Sequence, residues 1–306
     1  MTAKYFKDKP EIIPDVDTLI DVLIFEVSNH FKIGTGSFLD KMLHWLGHLP
    51  AQRFAIIMQQ FDKSIAERSI WEAARGALNH FTDGWVCKGK ENVPRSGPLL
   101  VIANHPGAAD SVAIMAAVER SDQRMIAIER PLLASMPNAS RHMIYLEEEN
   151  PLRYDIMRTI IDVLREGDSV IIFPRGNLEP DPGLMVGAID SIRHWSESLG
   201  VFLSKAPDTK VLPLIIGNAY SPKAWDSIIA RRAQNLKTRQ QIAMVMQAVM
   251  QRMFPNGGWK IPIHVTVSPC LSARDISKKL DPRQLNLAIR AYVAEQLAME
   301  YPNTCS

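Results

Sequence analysis

The chain has 306 residues, 46% of them hydrophobic and 22% charged, with a formal net charge of +2 at neutral pH. That size and balance belong to a globular protein of one large domain or two ordinary ones, and a charge so near zero argues against a nucleic-acid partner. The three cysteines, Cys87, Cys270 and Cys305, are far apart and form no C-x-x-C, so neither a disulfide framework nor a metal site is expected and the expected location is cytoplasmic.

The opening residues, MTAKYFKDKPEIIPDVD, are charged and lack the apolar core of a signal segment. No apolar run is long enough to cross a bilayer, which leaves peripheral membrane contact open. Residues 1–82 read as a helical N-terminal region. Asp15 to Phe31 repeats apolar residues at helical spacing (Leu19, Val22, Leu23, Val27), and Gly34-Thr35-Gly36 breaks it. Ser37 to His48 is a second expected helix, separated by Pro50 from a third over Ala51–Phe61. A fourth covers Glu67–Phe81. These helices suit a small bundle or a bilayer surface. His30, His44, His48 and His80 make no metal-ligand pattern with nearby acids.

From Gly84 the texture changes, and residues 83–306 read as an α/β domain. Strands are expected at Trp85–Gly89, Leu99–Ala103, Arg124–Glu129, Met143–Leu146, Ser169–Phe173, Lys210–Ile216 and Ile261–Ser268. Helices are expected after Ala108, at Leu132–Met136, Arg153–Arg165 and Met185–Leu199, through much of Pro222–Phe254, and from Pro282, where Asp281 is the cap. Strands alternating with helices predict a mostly parallel sheet flanked by helices. The basic residues of the 222–254 stretch read as a solvated face, or as a surface for anionic lipid or an acidic carrier protein.

The stretch PLLVIANHPGAADSVAIMAAV, Pro98 to Val118, organises the domain. An apolar run suited to a strand buried on both faces ends in Asn104-His105-Pro106-Gly107, and a helix follows with Asp110 in its first turn. In open α/β sheets ligands bind at the carboxyl ends of strands. An aspartate there can accept the proton of one imidazole nitrogen and leave the other as a base. No serine or cysteine lies in the turn, so this base would activate a hydroxyl brought by the substrate.

With Asn104-His105 and Asp110, Phe173-Pro174-Arg175-Gly176 and Val211-Leu212-Pro213-Leu214 in this order, residues 84 to 220 resemble the glycerolipid acyltransferases. That family includes the glycerol-3-phosphate and lysophosphatidic acid acyltransferases. The resemblance implies an O-acyltransferase that moves a fatty acyl group from acyl-CoA or acyl carrier protein, as co-substrate, to a lipid acceptor without a further cofactor. It gives His105 and Asp110 the catalytic roles, and Pro174 and Gly176 a place beside the acyl donor and its oxyanion. Arg175, Asn177, Arg130 and Arg153 would bind the acceptor. The chain departs from the family at Arg175, where Glu is usual, and at Asn177-Leu178, where Thr-Arg is usual. In MIYLEEENPLR, the counterpart of the second motif, Arg153 is displaced. These departures leave room for a sterol, pigment or polyketide alcohol as acceptor. A thioester hydrolase and a non-catalytic lipid-binding protein are the other readings. Glu129, Glu147 and Glu179 are expected to be exposed or salt-bridged.

Overall fold

A computed structural model describes residues 12–34, 36–107, 109–146 and 154–302. Three helices lead: α1 (Val16–His30), α2 (Phe38–Glu67) and α3 (Ile70–Phe81). Each starts at a residue whose side-chain oxygen accepts an amide of the first turn, Asp15, Ser37 and Ser69 in order. The expected break at Pro50 does not occur, and α2 runs through it. A proline inside a helix removes one N–H and crowds one carbonyl, but its φ is helical. Here buried side chains on the far side of it, Ala55, Ile57, Phe61 and Ile65, and packing of α2 against α1 and α3 hold the helix together.

The strands and helices then alternate. They are β1 (Trp85–Lys88), β2 (Leu99–Ala103), α4 (Asp110–Val118), β3 (Gln123–Ile128), α5 (Pro131–Ala134), α6 (Pro137–Ser140), β4 (Met143–Leu146), α7 (Tyr154–Arg165) and β5 (Ser169–Ile172). The single helix expected over 185–199 is instead two, α8 (Ala188–Ile192) and α9 (Ser198–Lys205). Between them the chain turns so that Trp195 points inward, 1% exposed, and Ser196 N–H donates to the Pro174 carbonyl. After β6 (Lys210–Gly217) the 222–254 stretch forms three helices, α10 (Pro222–Trp225), α11 (Ile228–Arg231) and α12 (Leu236–Met253). The chain ends in β7 (Ile263–Val267), β8 (Leu271–Ser272), α13 (Ala273–Ile276) and α14 (Pro282–Glu300).

The strand order is β1-β7-β6-β2-β5-β3-β4, with β8 paired to β6. Pairing is parallel from β6 through β2, β5 and β3 to β4 and between β1 and β7, and antiparallel where β6 meets β7 and β8. The fold is α/β, a mostly parallel sheet flanked by helices and led by the N-terminal helices. Strand β2 is buried on both faces. Leu99, Val101 and Ala103 pack with α3 and α4 on one side, and Leu100 and Ile102 with α7, α9 and α14 on the other. Two covered faces explain why its sequence is apolar without alternation.

Register sets the site. Ile102 of β2 lies opposite Ile172 of β5, and Ala103 opposite Leu214 of β6. The residues that follow each strand therefore emerge side by side at one edge of the sheet.

Candidate active site

Just beyond β2, Asn104 is buried and clasps the neighbouring strand. Its Nδ2 donates to the Ile216 carbonyl and its Oδ1 accepts the Ile216 amide, both at 2.8 Å. This pair extends the β2–β6 ladder by one rung and fixes the start of the turn. His105 follows, with its side chain 27% exposed, and its Nδ1 lies 2.8 Å from Oδ2 of Asp110. A carboxylate only accepts, so Nδ1 carries the proton and Nε2 is left with its lone pair.

Asp110 is fully buried. Besides the imidazole it accepts the Gly107 amide at Oδ2 (2.9 Å) and the Ser111 amide at Oδ1 (2.7 Å). The carboxylate thus ties the turn to the first turn of α4 and holds the ring at once. From β5 comes Phe173, whose ring stacks on His105 with centroids 4.2 Å apart and planes 18° from parallel. Burial pulls the imidazole pKa down. The Asp110 charge, the hydrogen bond to it and the Glu179 charge outweigh that pull and hold it above the ordinary histidine value.

Glu179 corrects the expectation of an exposed or salt-bridged carboxylate: it is 1% exposed. Its Oε2 accepts the His105 amide (3.0 Å), and its Oε1 accepts from Ser191 Oγ and Trp195 Nε1 (both 2.8 Å). Its own amide donates to the His105 carbonyl (2.8 Å). Burial raises its pKa against these hydrogen bonds. Glu129 is exposed, and Glu147 lies outside the described residues. A second buried carboxylate, Asp181, accepts the amides of Gly183, Asn218 and Ala219 and so pins the end of β6.

The other expected residues are spread around this centre. Pro174 is buried, Arg175 is half-buried, and Gly176 and Asn177 are exposed in the turn after β5. The Gly176 amide donates to the Phe173 carbonyl (3.0 Å), and Gly176 takes φ +67°. That amide closes the turn. Asn177 Oδ1 accepts from Lys237 of α12 at 3.4 Å. Arg130 is exposed at the end of β3, near enough to Glu26 of α1 to act on its charge. Arg153 lies outside the described residues. Among the described residues no three His, Cys, Asp or Glu side chains gather as a metal site.

Beside the first turn of α4 lies an apolar cavity of about 170 Å³. Phe54 and Met58 of α2, Ala77 of α3, Val112 of α4, and Met244 and Ala248 of α12 line it. Its volume is close to the ~150 Å³ that takes a benzene-sized guest.

Residues 85–217, from β1 to the end of β6, match the family model described as Acyltransferase. No curated protein matches the chain. A solved structure similar to it is the 1-acyl-sn-glycerophosphate (LPA) acyltransferase PlsC from Thermotoga maritima. The two share 17% identity and a TM-score of 0.44, over 94% of this chain and 97% of that one.

Proposed function

We propose that this chain, whose residues 85–217 match the Acyltransferase family model, is an acyltransferase that carries a fatty acyl group from acyl-CoA or acyl carrier protein to a hydroxyl of a glycerolipid or lipid precursor. The observation that carries the mechanism is the 2.8 Å contact between His105 Nδ1 and buried Asp110 Oδ2 at the carboxyl end of β2. Nε2 of His105 takes the proton of the acceptor hydroxyl as its oxygen attacks the thioester carbonyl carbon. The carbonyl electrons move to oxygen, and return as the C–S bond breaks. The imidazolium, steadied by Asp110, then gives its proton to the departing sulfur, leaving an ester and a free thiol. The reaction so written uses no cofactor beyond the thioester.

Arg175 and Arg130 stand at the carboxyl ends of β5 and β3, on the same sheet edge as His105, and suit an anionic group on the acceptor. The apolar cavity beside α4 is the proposed place for a segment of the acyl chain. No described helix is long and apolar enough to cross a membrane. Helix α2 nevertheless exposes Phe38 (80%) and Trp45 (79%) together with Leu39 and Leu46, an apolar surface suited to lying on a bilayer.

The test is thiol release from acyl-CoA against a panel of lipid acceptors, with the esters identified by mass spectrometry. His105→Ala is expected to lower turnover by about 10²-fold or more. Turnover near that of the wild type would reject the mechanism. Thiol release that no acceptor increases would make the protein a hydrolase.

A further inference from the structure

We propose that Glu179 is a positioning residue for His105, setting both where the imidazole sits and how readily it takes a proton. The proposal rests on the reading of His105 as the base. The backbone of His105 is bonded on both sides to this one residue, amide to Oε2 and carbonyl to the Glu179 amide. Glu179 is itself held from three directions: Ser191 in α8, Trp195 in the turn after it, and Gln240 of α12, whose Nε2 donates to the Glu179 carbonyl at 2.7 Å. The side-chain partners are all donors, which suits a charged carboxylate and opposes an amide.

Ser191, Trp195 and Gln240 carry no charge, so among the described residues the titratable group acting on this carboxylate is His105, whose Nδ1 is held by Asp110. The imidazolium formed in turnover therefore has a carboxylate on its Nδ1 and a second near its backbone. Both favour the proton on the ring. Removing the second weakens the base and frees the turn that aims it.

Glu179→Gln alone has one oxygen for two places, Oε1 facing Ser191 and Trp195 and Oε2 facing the His105 amide, so in either orientation its NH₂ meets an N–H and endangers folding. The experiment therefore uses Glu179→Gln combined with Trp195→Phe, against Trp195→Phe as reference. Three quantities are read: kcat, KM for acyl-CoA, and the titration of the His105 ring by NMR. In the double variant the Gln oxygen keeps the His105 amide and its NH₂ faces the Ser191 hydroxyl, so the charge is what is lost, and kcat is expected to fall about tenfold with KM for acyl-CoA within about threefold. The ring is expected to titrate at lower pH, carrying the acidic limb of kcat/KM down with it. Equal turnover and equal titration in the two proteins would overturn the proposal. So would a lower kcat with the ring titration unmoved, which a merely structural role gives. The ring titration does not depend on turnover. An active His105→Ala would sink the base and leave this measurement able to judge Glu179.

Discussion

Asp110→Asn tests the centre of the mechanism with the least change in shape. The carboxylate meets two donors at Oδ2, the His105 ring (2.8 Å) and the Gly107 amide (2.9 Å). At Oδ1 it meets the Ser111 amide (2.7 Å), with the Ser111 hydroxyl at 3.4 Å. An asparagine has one oxygen for these two places. Set against two donors that cannot turn, the oxygen stays on the His105 side; its NH₂ then faces the Ser111 amide, which loses its acceptor, and the Ser111 hydroxyl, which can turn to accept. The tautomer then survives and the charge is lost. Exchanging a charge-assisted hydrogen bond for a neutral one costs about 1–2 kcal/mol, or roughly 5–30-fold in rate. Loss of the buried counter-charge to the imidazolium adds to this, for an expected fall in kcat of about 10²-fold. The opposite orientation would place NH₂ against Nδ1, move the ring proton to Nε2 and cost about 10⁴-fold. The pH profile carries the sign. The base acts when neutral, and the folded ring has a raised pKa. Wild-type kcat/KM should therefore rise with pH through a range above the ordinary value of about 6.5. In Asp110→Asn the limb moves to lower pH while the plateau falls. The assay is thiol release from acyl-CoA across pH, with thermal unfolding to establish that the variant is folded. A folded variant within about twofold of wild-type kcat would refute the reasoning.

The cavity gives a second prediction. Ala248→Phe fills space beside Met244 and Val112 and is expected to shift donor preference toward shorter acyl chains, read as relative kcat/KM over a chain-length series. An unchanged profile would place the chain elsewhere. Arg175→Ala is expected to raise KM for an anionic acceptor by about tenfold with kcat little changed, the mark of lost uniform binding. Indifference of the best acceptor to this change would remove Arg175 from the acceptor site. Phe38→Ser with Trp45→Ser is expected to reduce co-sedimentation with phospholipid vesicles several-fold while leaving activity on dispersed substrate intact. Equal sedimentation of variant and wild type would count against a bilayer role for α2.

The parts of this molecule that a reader of the sequence sees best are those settled by local pattern. Strand β2 is a closed apolar run stopped by Asn104, Pro106 and Gly107, and its two covered faces make it so. The pairing of His105 with Asp110 follows from a five-residue separation across a tight turn into a helix. Pro50 misleads because proline's local penalty is outweighed by packing contributed from α1 and α3, which no window around residue 50 contains. The break between α8 and α9 is likewise non-local. Trp195 turns inward to reach Glu179, and Ser196 is bonded to Pro174. Glu179 itself has no local sign of burial, since its partners lie at 105, 191, 195 and 240. The insertion of β7 between β1 and β6, antiparallel to the latter, depends on a long connection through α10–α12 and is equally invisible in sequence spacing.

The buried carboxylates bear on why this sheet edge holds its shape. Asp110, Glu179 and Asp181 each accept backbone amides at the end of a different strand connection: Gly107 and Ser111 after β2, His105 across from β5, and Gly183, Asn218 and Ala219 at β6. For Glu179 and Asp181 burial is the largest influence and raises the pKa. A carboxyl group whose pKa is raised on folding contributes stability that is present below its unfolded value and is lost as pH rises through the folded value. Ionising these two buried carboxyls as pH rises through their folded values therefore costs the fold stability that neutral groups in the same places would keep. Ionisable groups kept at such a cost in a sheet otherwise packed with Val, Ile and Leu fit a site built for geometry rather than for stability. In it, the amides that the turns at the strand ends leave unpaired are aimed by carboxylates, and the imidazole inherits its position from them.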